Sequence, residues 1–124
     1  KDSKTKNVAQ TAIPERWFAL DIGSKTVSRF EKAIKKAGCV FWYGPLGAIE
    51  MEKFGKGTRA IAAALAKSKA HTVAAGVDTV RSIHAAGLAD KFAHLSSDSG
   101  TALEFLMTGS LPGLRALSAD DTEE

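Results

Sequence analysis

The stretch CVFWYGP, residues 39–45, is a continuous apolar and aromatic run that ends in a glycine and a proline. Its first five residues have the length of a strand, and Gly44 and Pro45 are typical of the turn that follows one. Because the run shows no alternation with polar residues, it predicts a strand covered on both faces, as in a parallel sheet. Within this strand Cys39 is predicted to be a buried packing residue.

Helical and strand patterns alternate on both sides of this stretch. Apolar spacing predicts a helix that Gly38 stops, a later helix capped by Asp78 and stopped by Gly87, and a last helix that ends at Gly109. The predicted helices span 25–37, 58–68, 79–86 and 101–107, the predicted strands 39–43, 72–75 and 92–95, a loop 44–57, and a short strand or extended piece 17–22. This order predicts an α/β fold, a partial Rossmann-like three-layer parallel sheet.

The remaining composition bounds the organisation and the partners. Residues 1–12 are predicted to form a polar arm and 118–124 an acidic tail, on either side of a domain that spans 13–117. The formal charge of +3 is dispersed, which gives no nucleic-acid signature, and no apolar run has the length of a membrane span. A single cysteine, Cys39, favours an intracellular, reducing compartment. A chain that starts at Lys1 without methionine indicates a processed precursor, an excised piece or part of a longer polypeptide.

Three loops follow the predicted strands, at 43–47, 76–78 and 96–100. Ligands of open α/β sheets bind beyond the carboxyl ends of the strands, so these loops are expected to converge on a binding site. The three histidines lack zinc-like spacing and have no cysteine partners, and no metal site is predicted.

A series of short motifs surrounds these loops and continues along the chain. The motifs span Ile13–Trp17, Leu20–Gly23, Trp42–Gly47, Glu50–Phe54, Gly87–Lys91, His94–Ser96, Leu103–Leu106 and Leu111–Gly113. In order and spacing they resemble the signatures of the phosphoglycerate kinase family, in the carboxy-terminal part of its nucleotide-binding domain. The resemblance extends over about Lys4–Leu117 and implies that 13–117 is a partial nucleotide-binding domain of this family.

The resemblance implies a fold, an activity and a set of ligand residues. Members of this family have two domains and transfer a phosphoryl group between 1,3-bisphosphoglycerate and ADP. By resemblance, Pro45 and Ala48 line the adenosine pocket, Glu50 holds the ribose hydroxyls and Asp78 faces the magnesium-bound phosphates. The loop 96–100, with Ser97 and Gly100, would cradle the transferred phosphoryl group at a helix amino end.

The three loops depart from the family pattern. Tyr43 stands where the family has asparagine, Val77 replaces a glycine before Asp78, and Asp98 and Ser99 replace glycines of the last loop. If the family's backbone at Val77 has positive φ, a β-branched residue strains it. A carboxylate at Asp98 repels a phosphate. All four residues are therefore predicted to disrupt the nucleotide site.

Each candidate also has a purely structural interpretation. Asp98 or Ser99 is expected to cap the last helix in place of a ligand phosphate. The structural alternative for Asp78 is a cap of its own helix, and for Glu50 it is a charge on the surface.

On this basis the favoured hypothesis is a degenerate, noncatalytic module that acts as a structural subunit of a larger assembly and binds no cofactor. The alternative is a fragment of an active phosphoglycerate kinase that binds Mg-ADP or Mg-ATP. Under either hypothesis, half of a parallel sheet has an open edge, which a protein partner or a missing chain segment must cover.

Overall fold

A computed structural model describes residues 4–119, which form a three-stranded parallel sheet and five α-helices. The strands are β1 (Cys39–Tyr43), β2 (His71–Ala75) and β3 (His94–Ser96). The helices are α1 (Ser24–Ile34), α2 (Lys56–Ala66), α3 (Val77–Ala85), α4 (Ser99–Thr108) and α5 (Pro112–Ala119), with short 3-10 turns at Gln10–Ala12, Glu52–Phe54 and Ala89–Lys91. The predicted α/β class is confirmed.

The strands lie in the order β1, β2, β3, and neighbours in the sheet are joined by α2 and α3. Tyr43 pairs with Ala75, and Ala75 pairs with Ser96, so the last residues of all three strands stand side by side. Because both connections run in the same direction and parallel crossovers are right-handed, α2 and α3 share one face of the sheet.

The core lies between that face and the two helices. Leu65 of α2 is 2% exposed and Ile83 of α3 is fully buried, and both belong to one cluster with Trp42 and Ala74 of the sheet. The rings of Trp42 and Phe92 lie 6.4 Å apart at an interplanar angle of 35°. This packing fixes β1 and β2 relative to the helices that follow them.

The other face of β1 is open, which corrects two predictions. Exposure alternates along the strand: Trp42 is buried, whereas Cys39, Phe41 and Tyr43 are exposed. Side chains of a strand point alternately to opposite faces, so the three exposed side chains of β1 lie on the face opposite Trp42. The predictions of a strand buried on both faces and of a buried Cys39 are therefore wrong for this chain.

Several boundaries differ from the sequence prediction. α3 begins at Val77 with Gly76 as its cap, and Asp78 makes no capping hydrogen bond, so the prediction of an Asp78 cap is wrong. β3 starts at His94 because Phe92 still closes a 3-10 turn. The helix α5 was not predicted, although proline at its first position is a known start signal.

The segment 17–22 has no regular secondary structure. Residues 4–12 of the predicted arm include the turn Gln10–Ala12, while residues 1–3 of the arm and 120–124 of the predicted acidic tail lie outside the described residues. The division into arm, domain and tail stays a prediction.

Candidate functional site

The three predicted loops meet at the carboxyl edge of the sheet. The backbone N–H of Gly44, after β1, donates to Oγ1 of Thr79 on α3 at 2.9 Å. The N–H of Gly76, after β2, donates to the carbonyl of Ser96, at the end of β3, at 3.0 Å. These two bonds join the first loop to the second and the second to the third.

Buried threonine hydroxyls hold the loop that follows β1. Thr58 and Thr79 are each 1% exposed, and the N–H of Leu46 donates to Oγ1 of Thr58 at 3.0 Å. The indole N–H of Trp42 donates to the carbonyl of Gly44 at 2.7 Å. An unpaired polar group in the interior is costly, so these bonds specify the path of the loop.

Sequence reasoning did not single out Thr58 and Thr79. A signal was present, since Thr58 precedes the core residue Ile61 by three positions and Thr79 precedes Ile83 by four. These spacings place each threonine on the buried face of its helix.

In the second loop the residue with positive φ is a glycine. Gly76 has φ of 99°, a region that glycine enters without steric cost. Val77 is the first residue of α3 and is 55% exposed, and Arg16 is the only non-glycine residue with positive φ in the described part of the chain. The strain predicted for Val77 is therefore not present.

A cleft of about 260 Å³ lies between the first two loops. Its lining residues are Tyr43, Gly44, Pro45, Gly76, Val77, Asp78 and Thr79. Asp78 lies at this cleft with a half-exposed carboxylate, 3.4 Å from the guanidinium of Arg81. The structure thus brings together four of the residues singled out from the sequence: Tyr43, Pro45, Val77 and Asp78.

The other predicted ligand residues lie outside this cleft. Ala48 is half-buried and Glu50 is exposed, both in the connection between β1 and α2. Ser97 and Gly100 are exposed in the third loop and the first turn of α4. Ser99 begins α4.

Asp98 caps α4, as one of the structural interpretations predicted. Its carboxylate accepts from the N–H groups of Gly100 and Thr101 at 2.9 and 3.3 Å, and from the hydroxyl of Thr101 at 2.5 Å. The hydroxyl bond of Thr101, then the backbone bonds of Thr101 and Gly100, hold the pKa of Asp98 below its ordinary value. The first amides of α4 are therefore already bonded to an anionic group of the chain itself.

This cap predicts a pH dependence of stability. A carboxylate whose pKa is lower in the folded state stabilises the fold above its unfolded pKa, about 3.9, and loses this effect as pH falls through the folded pKa. Asp98→Ala is expected to lower the melting temperature at pH 7, with a smaller difference from wild type at pH 2–3. Thermal unfolding measures both values, and Asp90→Ala, in an exposed turn, is the control. An equal difference at both pH values would contradict the cap.

Two features are absent from the described residues: a group of several metal-ligating side chains and a membrane-spanning helix. Within residues 4–119, no three His, Cys, Asp or Glu side chains are grouped so that they could hold a metal ion. None of the helices in that part of the chain has the length and apolar character needed to span a membrane.

Comparison with known proteins identifies the family. The family model described as phosphoglycerate kinase matches residues 1–109 of the 124. The chain belongs to the phosphoglycerate kinase family. The phosphoglycerate kinase of Leptospira biflexa is 47% identical over 116 residues, and that of Koribacter versatilis is 48% identical over 108 residues. A solved structure of phosphoglycerate kinase from Coxiella burnetii superposes with a TM-score of 0.70 at 38% identity, over 77% of this chain and 25% of that chain.

The comparisons also give the extent of the match. The alignment with the Leptospira phosphoglycerate kinase covers 94% of this chain and 29% of that protein, and the Koribacter alignment covers 86% and 27%. The chain thus spans less than a third of the length of these relatives.

These findings overturn the favoured functional hypothesis. Relatives that match at 47–48% identity are named phosphoglycerate kinase, and nothing among them indicates a degenerate structural subunit. The prediction of a noncatalytic module is wrong, and the findings agree better with its alternative, a fragment of an active phosphoglycerate kinase.

Proposed function

We propose that residues 1–124 form part of the nucleotide side of an active phosphoglycerate kinase, which transfers a phosphoryl group between 1,3-bisphosphoglycerate and ADP. The observation that carries the proposal is 47% identity to a phosphoglycerate kinase across 94% of this chain. Phosphoryl transfer depends on positioning two substrates and stabilising the charge between them. Other parts of the longer polypeptide supply the second substrate's site.

The nucleotide is proposed to bind with its phosphates at the cleft beyond β1 and β2 and its nucleoside along the connection that follows Pro45, outside the cleft. Pro45 and Ala48 line the adenosine pocket, and Glu50 accepts from the ribose hydroxyls. The donor set fits magnesium, because Mg²⁺ is bound by one or two carboxylates together with waters and substrate phosphates, and Asp78 presents a half-exposed carboxylate at the cleft. Bound magnesium would neutralise phosphate charge during the transfer.

The transferred phosphoryl group is proposed to bind at the third loop, next to Ser97 and Gly100. In this chain the carboxylate of Asp98 occupies the first amides of α4. An anion and this carboxylate repel each other, so the Asp98 side chain has to rotate away from these amides when the phosphoryl group binds there. Asp98 is exposed, so this movement does not require a buried side chain to leave the core.

The open side of the sheet is proposed to be covered by the rest of the same polypeptide. β1 is an edge strand, and an apolar groove of about 420 Å³ runs beside it. Phe30, Phe41 and Tyr43 line this groove and are 41%, 39% and 51% exposed. Exposed apolar surface next to an unpaired strand edge is a liability for a protein on its own. Support comes from the relatives, of which this chain covers only 27–29%.

Calorimetric titration with Mg-ADP tests the nucleotide assignment in the complete natural polypeptide that carries these residues. Saturable binding is expected, and Glu50→Ala is expected to weaken it roughly tenfold to a hundredfold, because a hydrogen bond to a charged group contributes about 1.5–3 kcal/mol. Glu52→Ala, which removes another exposed carboxylate two residues later, is the matched control and should leave the affinity unchanged. Equal affinities for all three proteins would refute the role of Glu50.

A further inference from the structure

The side chain of Asp21 joins two segments that are distant in sequence. Its Oδ1 accepts from the N–H of Ile22 at 2.8 Å, and its Oδ2 accepts from the N–H of Gly57 at 2.9 Å. Gly57 is the second residue of α2, so its amide is one of the first four that a helix cannot pair internally. A carboxylate at this end of a helix is also favoured by the helix dipole.

Two glycines make room for this carboxylate. A Cβ atom added at Gly47 would lie 2.5 Å from Oδ1 of Asp21. A Cβ atom added at Gly57 would overlap the same oxygen. The carboxylate therefore rests directly against backbone at both positions. Gly47 and Gly57 are the two ends of the connection between the loop after β1 and α2, which we name the 47–57 segment.

A backbone bond fixes the first end of the segment to the same place. The N–H of Ala48 donates to the carbonyl of Leu20 at 2.8 Å. Leu20 and Asp21 thus hold both ends of the 47–57 segment, one through the main chain and the other through a side chain.

The 47–57 segment is also bonded within itself. The N–H of Met51 donates to the carbonyl of Ala48 at 3.0 Å, and the N–H of Phe54 donates to the carbonyl of Met51 at 2.8 Å. The guanidinium of Arg59 donates to the carbonyl of Glu52 at 3.0 Å. Because these bonds link successive turns, we expect the release of one end of the segment to shift Ala48 and Glu50 together.

We propose that Asp21 is a positioning residue for nucleotide binding, which holds the 47–57 segment so that Ala48 and Glu50 meet the nucleoside. This inference rests on the proposed function, which assigns Ala48 and Glu50 to the nucleoside. Asp21 acts through the segment: its oxygens are engaged by the amides of Ile22 and Gly57. Its effect therefore falls on nucleotide affinity rather than on the chemical step.

The variant Asp21→Asn isolates this effect. Asparagine has nearly the same shape but only one acceptor oxygen, and its NH2 group would face an N–H group at the second position. One end of the segment is then released. In the complete natural polypeptide we expect Mg-ADP to bind at least tenfold more weakly and the KM for ADP to rise by the same factor, with kcat at saturating ADP changed less than threefold.

Hydrogen exchange without nucleotide gives a readout that is independent of activity. In Asp21→Asn the amides of Ala48, Met51 and Gly57 are expected to exchange faster, while those of β2 keep their wild-type protection. Asp90→Asn, which changes an exposed carboxylate in a different turn, is the control and should alter neither exchange nor affinity. If Asp21→Asn does not fold, Asp21→Ser, which keeps one acceptor on a shorter side chain, is measured in its place.

The outcomes separate this inference from the proposed function. If the wild-type protein binds Mg-ADP and the Asp21 variant binds it within twofold of wild type, the positioning role is wrong and the proposed function stands. Faster exchange at Gly57 with unchanged affinity would reduce Asp21 to a structural cap of α2. If the folded wild-type protein binds no Mg-ADP, the proposed function and this inference both fail.

Discussion

Replacement of Ile83 by alanine is expected to lower the free energy of unfolding by about 2–5 kcal/mol. Ile83 has no exposed surface and belongs to the cluster that joins α3 to Trp42, Leu65 and Phe92. The shortened side chain loses its contacts and leaves a cavity that the surrounding helices and strands fill only in part. Urea unfolding of the complete polypeptide, with the midpoint and the slope both fitted, measures the change.

The neighbouring residue provides the control for this prediction. His84 lies on the same helix and is exposed, so His84→Ala removes a side chain without opening a cavity. Its effect is expected to stay within about 0.5 kcal/mol, as for most surface substitutions. Equal losses for the two variants would show that the cluster between α3 and the sheet is not a packed core.

Replacement of Gly47 by alanine is expected to weaken Mg-ADP binding at least tenfold and to destabilise the fold by about 1–3 kcal/mol. The added methyl group would overlap the carbonyl oxygen of Phe54 and would lie 2.5 Å from Oδ1 of Asp21. Neither the main chain at Phe54 nor a hydrogen-bonded carboxylate yields easily. The 47–57 segment therefore has to move, and Glu50 moves with it. Calorimetry and urea unfolding measure the two effects.

Gly38→Ala is the matched control. Nothing lies within 4 Å of a Cβ atom added at Gly38, and its φ is not positive. Such a substitution is expected to leave affinity unchanged and to raise stability by about 0.4–1 kcal/mol, because it restricts the unfolded chain. If Gly47→Ala behaves like Gly38→Ala, the close approach at Gly47 does not constrain the segment.

The elements and their order could be predicted because their signals are local. The run 39–43 and the periodic helices around it contain the apolar pattern that backbone hydrogen bonding requires, and β1 has the predicted bounds. The convergence of the loops also follows from local information, since consecutive parallel strands end at the same edge of a sheet. The family could be recognised because its motifs are short, ordered and spread along the chain.

Burial and the position of backbone strain could not be predicted from those signals. Cys39 and Phe41 have the composition of a covered strand, yet their exposure depends on what lies over that face, which is a property of elements outside 39–43. By resemblance Val77 stands where the family has a glycine, but only the backbone shows that Gly76 has the positive φ. The anchoring role of Asp21 joins positions 36 residues apart, beyond any local pattern.

The predicted disruption of the nucleotide site by Tyr43, Val77 and Asp98 stays a prediction. That prediction treats the three positions separately, as if each family residue acted alone. In the structure Tyr43 and Val77 line the same cleft as Pro45 and Asp78, without backbone strain at Val77. Side-chain identity at three loop positions is therefore weaker evidence on activity than the close similarity of the whole chain to phosphoglycerate kinases.

Phosphoryl transfer by the complete natural polypeptide that contains residues 1–124 is the most direct test of the proposed activity. Formation of ATP from 1,3-bisphosphoglycerate and Mg-ADP is followed with the purified, folded protein. A turnover number in the usual range of kinases, roughly 1–100 s⁻¹, is the predicted result. A folded polypeptide that forms ATP no faster than a sample without protein would contradict the assignment of this chain to an active phosphoglycerate kinase.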